Sequence, residues 1–324
     1  MNDTEHAVLN AKFTHNGPVF TVAQGCSAAA GVDWINSSGT VGAVHLKRTR
    51  ARFLVTPFVL LLPCALALFS AEFDLRQQLI DLNDEVRKQP RKAELYVSRG
   101  DLYRAQQKWD AAQADYDYAA ALDAKLEMVD FCRGRLFFEA NWPMSAKLAL
   151  DRFLAKQRNH VEALILRART LTNLQSRLAA ARDYTHAIQL STESRPELYV
   201  ERAQTLAAEG GSNIKEALQG LDEGVKKLGP LVTLQLAAVD LELAAKNYDG
   251  ALARLETIAA ASPRKETWLA RKGDILQQAG RTDQARNAFN AALESINSLP
   301  ANRRNVPAVL ELQEHIQEQL RKLK

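Results

Sequence analysis

Cysteine is scarce in this chain. Its 324 residues contain three, Cys26, Cys64 and Cys132, too few and too far apart for a disulfide framework or a paired-cysteine metal site. No His-Glu-x-x-His, Cys-x-x-Cys, Gly-x-Ser-x-Gly or glycine-rich phosphate loop occurs, and Gly210-Gly211 lacks the following Lys-Ser/Thr that a phosphate loop requires. Beyond residue 72 the histidines are His160, His186 and His315, far apart and without ligand spacing. These absences predict a protein that is not an enzyme, with no catalytic residues, no metal site and no cofactor.

An excess of charge of one sign is missing too. The chain has 42 Lys and Arg against 38 Asp and Glu, a net charge of +4. Residues 1–52 hold five basic and three acidic side chains, which leaves +2 for everything after them. A nucleic-acid binder concentrates a basic face, because phosphate neutralisation supplies much of its affinity. No such face is evident, so no nucleic-acid partner is expected.

Helix-forming material is plentiful. Hydrophobic residues make up 47% and charged residues 25% of the chain, and Ala, Leu, Gln, Arg and Glu dominate. The stretch Ala93 to Asp123 reads as two amphipathic helices separated by Gln107-Lys108-Trp109-Asp110. Tyr96, Gly100 and Tyr103 recur at helical spacing in the first, as do Ala112, Tyr116 and Ala119 in the second. Large side chains set opposite small ones let two helices approach closely.

Sliding the chain against itself by about 34 residues repeats this pattern. Gly100 falls over Gly134, Ala168, Ala203, Val239 and Gly273; an alanine column runs through Ala112, Ala146, Ala180, Ala217, Ala251 and Ala285. The bulky column behind it is Tyr116, Leu150, Tyr184, Leu221, Leu255 and Phe289. A helices are expected near 93–106, 127–140, 161–174, 196–209, 232–245 and 266–279. B helices are expected near 110–122, 144–156, 178–190, 214–228, 249–260 and 282–297.

With prolines near the unit boundaries (Pro90, Pro196, Pro230, Pro263, Pro300), residues 93 to 297 resemble the tetratricopeptide repeat family. The resemblance implies an all-α fold: a right-handed α-solenoid of about six helix pairs with terminal capping helices, and a concave groove lined by the first helices. Repeats of about 93–126, 127–160, 161–195, 196–231, 232–265 and 266–299 make up an array over 93–300.

The flanks read differently. Residues 1–46 form an extension rich in Gly, Ser and Ala, either a disordered tail or a segment outside the natural product, with translation starting near Val41 or Val44. Residues 47–71 place Lys47, Arg48, Arg50 and Arg52 before an uncharged run from Phe53 to Ala71. This pattern matches a signal peptide, with a membrane anchor as the alternative, and Pro57 and Pro63 weaken a straight spanning helix. It predicts export to the periplasm or cell envelope, soluble after cleavage or anchored through residues 53–71, the single expected membrane contact. Residues 72–92 carry Leu75, Leu79, Leu82 and Val86 at helical spacing before Pro90, an N-terminal capping helix or the second half of a degenerate repeat. Residues 301–324 form a C-terminal capping helix whose stripe is Val309, Leu312, Ile316, Leu320 and Leu323.

Two sets of residues stand out. Arg99, Arg133, Arg167, Arg202 and Lys272 immediately precede the small-residue column, and Arg99–Asp115 and Arg167–Asp183 are expected to pair across their hairpins. By resemblance to the family, the groove is faced by Val97, Asp101 and Arg104; by Met128, Phe131, Arg135 and Phe138; and by Ile165 and Arg169. Aromatics beside Arg135 and Arg169 suggest anchorage of an apolar side chain and a carboxylate of a partner protein or peptide. The competing reading is a solvated face in which these arginines pair with Asp101 and Glu162. The lysine and asparagine clamp with which some members hold a chaperone's terminal carboxylate is not carried over, because Val97 and Asp101 occupy those columns. The expected function is a non-catalytic protein–protein interaction scaffold or adaptor; the alternative is a stably docked accessory or regulatory subunit of an envelope enzyme or transporter complex.

Overall fold

The computed structural model describes residues 62–323, with side chains from residue 75 onward. The doubtful extension and most of the basic and apolar segment lie outside these residues. The described residues are helical throughout, without strands. The first helix, α1 (Leu62–Lys88), is followed by six antiparallel pairs: α2 (Ala93–Ala105) with α3 (Trp109–Leu122), α4 (Met128–Glu139) with α5 (Pro143–Lys156), and α6 (Val161–Asn173) with α7 (Arg177–Leu190). The series continues through α8 (Pro196–Ala207) with α9 (Asn213–Leu228), α10 (Val232–Ala244) with α11 (Tyr248–Ala261), and α12 (Lys265–Gln278) with α13 (Thr282–Asn297). A short α14 (Ala301–Arg304) leads into the terminal α15 (Pro307–Lys322). Each helix of the six pairs begins and ends within about two residues of the bounds read from the repeat.

The small and bulky columns meet inside each hairpin. A Cβ added to Gly100 would lie 2.6 Å from the Tyr116 ring, one at Gly134 2.7 Å from Leu150, and one at Gly273 2.5 Å from Phe289. Ala112, Ala146, Ala180, Ala217, Ala251 and Ala285 are fully buried, so the second helix can lie directly on the first. Val239, the large exception in the small column, is also fully buried and packs in the cluster that holds Leu255 and Ile275.

Outside the fourth pair, the turn between paired helices uses one left-handed residue at the same place. These residues are Gln107, Asn141, Gln175, Lys246 and Gly280, with φ between 57° and 73°. The next amide reaches back to close the helix: Lys108 N–H donates to Tyr103 O at 2.9 Å, Ser176 N–H to Leu171 O at 2.8 Å, and Asn247 N–H to Glu242 O at 2.8 Å. The turn of the fourth pair is longer and uses two glycines, Gly210 and Gly211.

Both ends of the array are covered. Helix α1 runs unbroken through Ser70-Ala71 and is longer than the capping helix expected from residue 72, because Ala65 to Ala71 contains neither Gly nor Pro to stop it. Val86 is buried and Leu82 packs against the core of the first repeats. Among the described residues no helix is long and apolar enough to cross a membrane. At the other end Val309 and Ile316 are buried with Phe289 and Ile296, and Leu312, Leu320 and Leu323 pack against them. His315 Nε2 lies 2.9 Å from Asp274 Oδ1, which fixes α15 against α12.

Candidate functional site

The side chains of the first three A helices expected to face the groove are held by different means. On α2, Val97 is half-buried against the N-terminal core. Asp101 accepts from Tyr116 Oη at 2.9 Å and from Arg104 Nε at 3.2 Å. Arg104, 12% exposed, also donates Nη1 to both oxygens of Glu139 at 2.6 and 2.7 Å. Burial disfavours the Arg104 charge, but these carboxylates outweigh it and raise its pKa. Arg104 is therefore a strut between α2 and α4.

Helix α4 contributes the open part of the surface. Met128 is 42% exposed, and Phe131 and Phe138 are half-buried. The Phe131 ring lies 5.3 Å from that of Phe153 and 4.9 Å from that of His160, and the Arg135 guanidinium sits 5.8 Å from its centroid. Arg135 is 36% exposed and reaches Asp101 only at 3.9 Å. A cavity of about 390 Å³ opens beside this patch, lined by Leu126, Met128, Phe153, Gln157 and His160.

Two expected groove residues on α6 are differently employed. Ile165 is 6% exposed and belongs to the central core, onto whose edge Phe131 packs, so it offers no groove surface. Arg169 donates Nε and Nη2 to the two oxygens of Glu201 at 2.9 and 2.7 Å. Its charge is already matched, and it is not an open carboxylate receptor. Glu162 accepts from Arg195 at 2.9 Å rather than from a groove arginine. The paired-face reading thus finds Asp101 beside Arg135, though only at 3.9 Å, and for Arg169 it finds Glu201 in place of Glu162; Arg104, outside that reading, pairs with Glu139. Arg135 keeps the loosest pairing of the three.

His160 was also missed as a member of this site. Its Nδ1 accepts from Ala163 N–H at 3.2 Å, capping α6, while its ring closes the aromatic cluster. Only its place directly before Val161 hinted at the cap. Cys132 is 2% exposed, and burial followed by the nearby Asp101 charge pushes its thiol pKa up to about 12, which makes it a core residue and a poor nucleophile. Among the described residues no group of three or more His, Cys, Asp or Glu is arranged to hold a metal.

The residues before the small column form a ladder along the hairpins. Arg99 Nε and Nη2 donate to Asp115 at 2.8 and 2.7 Å, and Arg167 repeats this with Asp183 at 2.7 and 2.8 Å. Both expected pairs are present. Each arginine also reaches back sixteen residues: Arg99 to Asn83 and Arg167 to Asp151, each at 3.0 Å, and Arg133 to Asp117. Asn83 places α1 in the register of a B helix, as a degenerate repeat predicts.

Residues 185–311 match the model of the tetratricopeptide repeat-like domain. These residues form a tetratricopeptide repeat-like domain. The match spans the later repeats; the earlier three carry the same hairpin geometry, Gly100 on Tyr116 as Gly273 on Phe289. No curated protein matches the chain. Among solved structures it is similar to a tetratricopeptide repeat protein from Parabacteroides merdae, with 20% identity, a TM-score of 0.47, and coverage of 77% of this chain and 94% of that one. It is also similar to YrrB, a tetratricopeptide repeat protein with an unusual peptide-binding site, at 19% identity and TM-score 0.48, covering 59% of this chain and 97% of that one. The type IV pilus biogenesis factor PilW is similar at 13% identity and TM-score 0.45, with 68% and 97% covered.

Proposed function

We propose that the array is a non-catalytic scaffold that holds a segment of a partner protein along α2 and α4. The observation that carries this reading is the state of Arg135: a guanidinium lying over Phe131, 3.9 Å from the Asp101 carboxylate and on the same helix as exposed Met128. A partner's apolar side chain fits against Met128 and Phe131, and its carboxylate can take a closer pairing with Arg135 than Asp101 does. The basic flank Lys47 to Arg52 and the uncharged run after it support export to the cell envelope.

The test is affinity capture from envelope extract with the parent chain and with a Met128→Glu/Arg135→Glu variant whose circular dichroism matches the parent. Capture by the parent and loss in the variant is the expected result; a partner retained by both moves the interface elsewhere. Fractionation should place the chain outside the cytoplasm, and a cytosolic pool alone contradicts export.

The second reading, a stably docked subunit, is favoured by Met144 and Leu148, which stand one turn apart on α5 at 68% and 60% exposure. A docked subunit co-purifies at fixed stoichiometry through gel filtration, whereas a transient scaffold releases its client.

A further inference from the structure

The arginine ladder has one rung without its aspartates. In the first and third repeats the arginine is answered by an aspartate three residues after the B-helix alanine, Asp115 after Ala112 and Asp183 after Ala180. In the fourth repeat Arg202 and Ala217 keep their places, and Gly220 stands where the aspartate belongs. The backward position, filled by Asp117 for Arg133 and Asp151 for Arg167, is taken by the neutral Thr185, 3.5 Å from Arg202 Nη1. The remaining partner is Glu223, bonded to Nη2 at 3.0 Å but itself 67% exposed.

The Arg202 side chain is nevertheless 8% exposed and lies 5.6 Å over the Tyr199 ring. A charge this buried is normally matched by a fixed carboxylate. Arg202 also borders open space. A cavity of about 270 Å³ runs between α7, α8 and α9, lined by Arg202, Gly220, Thr185, Gln189, Gln219 and Glu216 among others. A Cβ at Gly220 would lie 2.4 Å from Arg202 Nη2, so the guanidinium packs directly on the α9 backbone. Arg202 holds the place of Arg99, which is two residues from both Val97 and Asp101 and so lies on the flank of its helix opposite those expected groove positions.

We propose that Arg202 and the cavity it lines between α7, α8 and α9 form a carboxylate-binding site, in which an external carboxylate accepts from the guanidinium, as Asp115 and Asp183 accept from those of the sister repeats. Thr185, Gln189 and Gln219 offer hydrogen bonds to the rest of the ligand. Glu216 and Glu223 at the same cavity favour a carboxylate carried beside a positive group. That chemistry has two sources: a free amino acid, or a Glu side chain next to Lys in a protein segment.

The test is NMR titration of the full chain, following the Gly220 amide and the Arg202 Nε–H. The probes are glycine and an end-blocked Ala-Glu-Lys-Ala peptide, with sodium chloride at equal ionic strength as the control. Saturable shifts with either carboxylate and not with chloride support the site, and the probe that saturates at the lower concentration names the source. Gly220→Asp supplies the carboxylate internally and should abolish the shifts at Arg202. Glu223→Gln, checked for a circular dichroism spectrum like the parent's, removes the competing partner and should move saturation to lower concentration. Absence of saturation with both probes, an equal response to chloride, an unchanged response in Gly220→Asp, or weaker binding in Glu223→Gln would each overturn the proposal. Met128→Glu/Arg135→Glu should leave these shifts intact, which separates this site from the groove.

Discussion

Arg169 and Glu201 face each other as a two-pronged pair, Nε and Nη2 donating to the two carboxylate oxygens at 2.9 and 2.7 Å. Tyr184 Oη donates to the same carboxylate at 2.9 Å. Helices α6, α7 and α8 are thereby tied at one point, in the middle of the surface expected to be free for a ligand.

This pair sets an acid limit. Burial raises the Glu201 pKa, but the hydrogen bonds from Arg169 and Tyr184 outweigh it and hold the group below the usual glutamate value. A depressed folded-state pKa contributes stability above the unfolded value and loses it as pH falls through the folded one. Glu201→Gln should therefore cost about 1 kcal/mol at pH 7 and progressively less below about pH 4. Urea unfolding at both pH values reads the difference; an equal cost at each would contradict it.

The small column should tolerate far less than the ion-pair ladder. Ala180 is fully buried, and Ala180→Arg forces a charged side chain between α6 and α7 at a cost of about 4 kcal/mol or more. Asp183→Asn keeps one acceptor for Arg167, which retains Asp151, and should cost about 1–2 kcal/mol. Comparable melting shifts in the two variants would show that close packing of the small column does not decide stability.

Lys246 holds a left-handed backbone, φ 59°, in an exposed turn where the sixth repeat uses Gly280. A non-glycine residue pays about 1–2 kcal/mol for that conformation, and glycine's greater freedom in the unfolded chain returns part of it. Lys246→Gly should raise stability by about 0.5–1 kcal/mol. Thermal unfolding measures it, and a lower melting temperature would point to lost Lys246 contacts.

Removing residues 307–324 uncovers Phe289 and Ile296 and deletes buried Val309 and Ile316. At about 1.5–3 kcal/mol for each buried aliphatic side chain, the truncated chain should melt several degrees lower. Light scattering should show self-association through the exposed end. A monomer of unchanged stability would mean that α15 does not cap the array.

The legible part of this protein was its repetition. The period, the hairpins and the small-on-bulky contacts Gly100–Tyr116 and Gly273–Phe289 could be read from residue type and spacing alone, because each lies within one helix pair and depends on local helix geometry. Arg99–Asp115 and Arg167–Asp183 were legible for the same reason.

Contacts between repeats were not. The register of neighbouring A helices decides that Arg104 meets Glu139, that Arg169 meets Glu201, and that Ile165 sinks into the core while Arg135 stays loosely paired. The stacking of α7, α8 and α9 likewise seats the buried Arg202 guanidinium on Gly220, unremarked in the sequence, beside a cavity. By itself the sequence determined an all-helical array and which faces its helices bury. Tertiary structure alone decided which charged groups remain available, because that depends on distances of a few ångströms between helices about 32 to 35 residues apart in the chain.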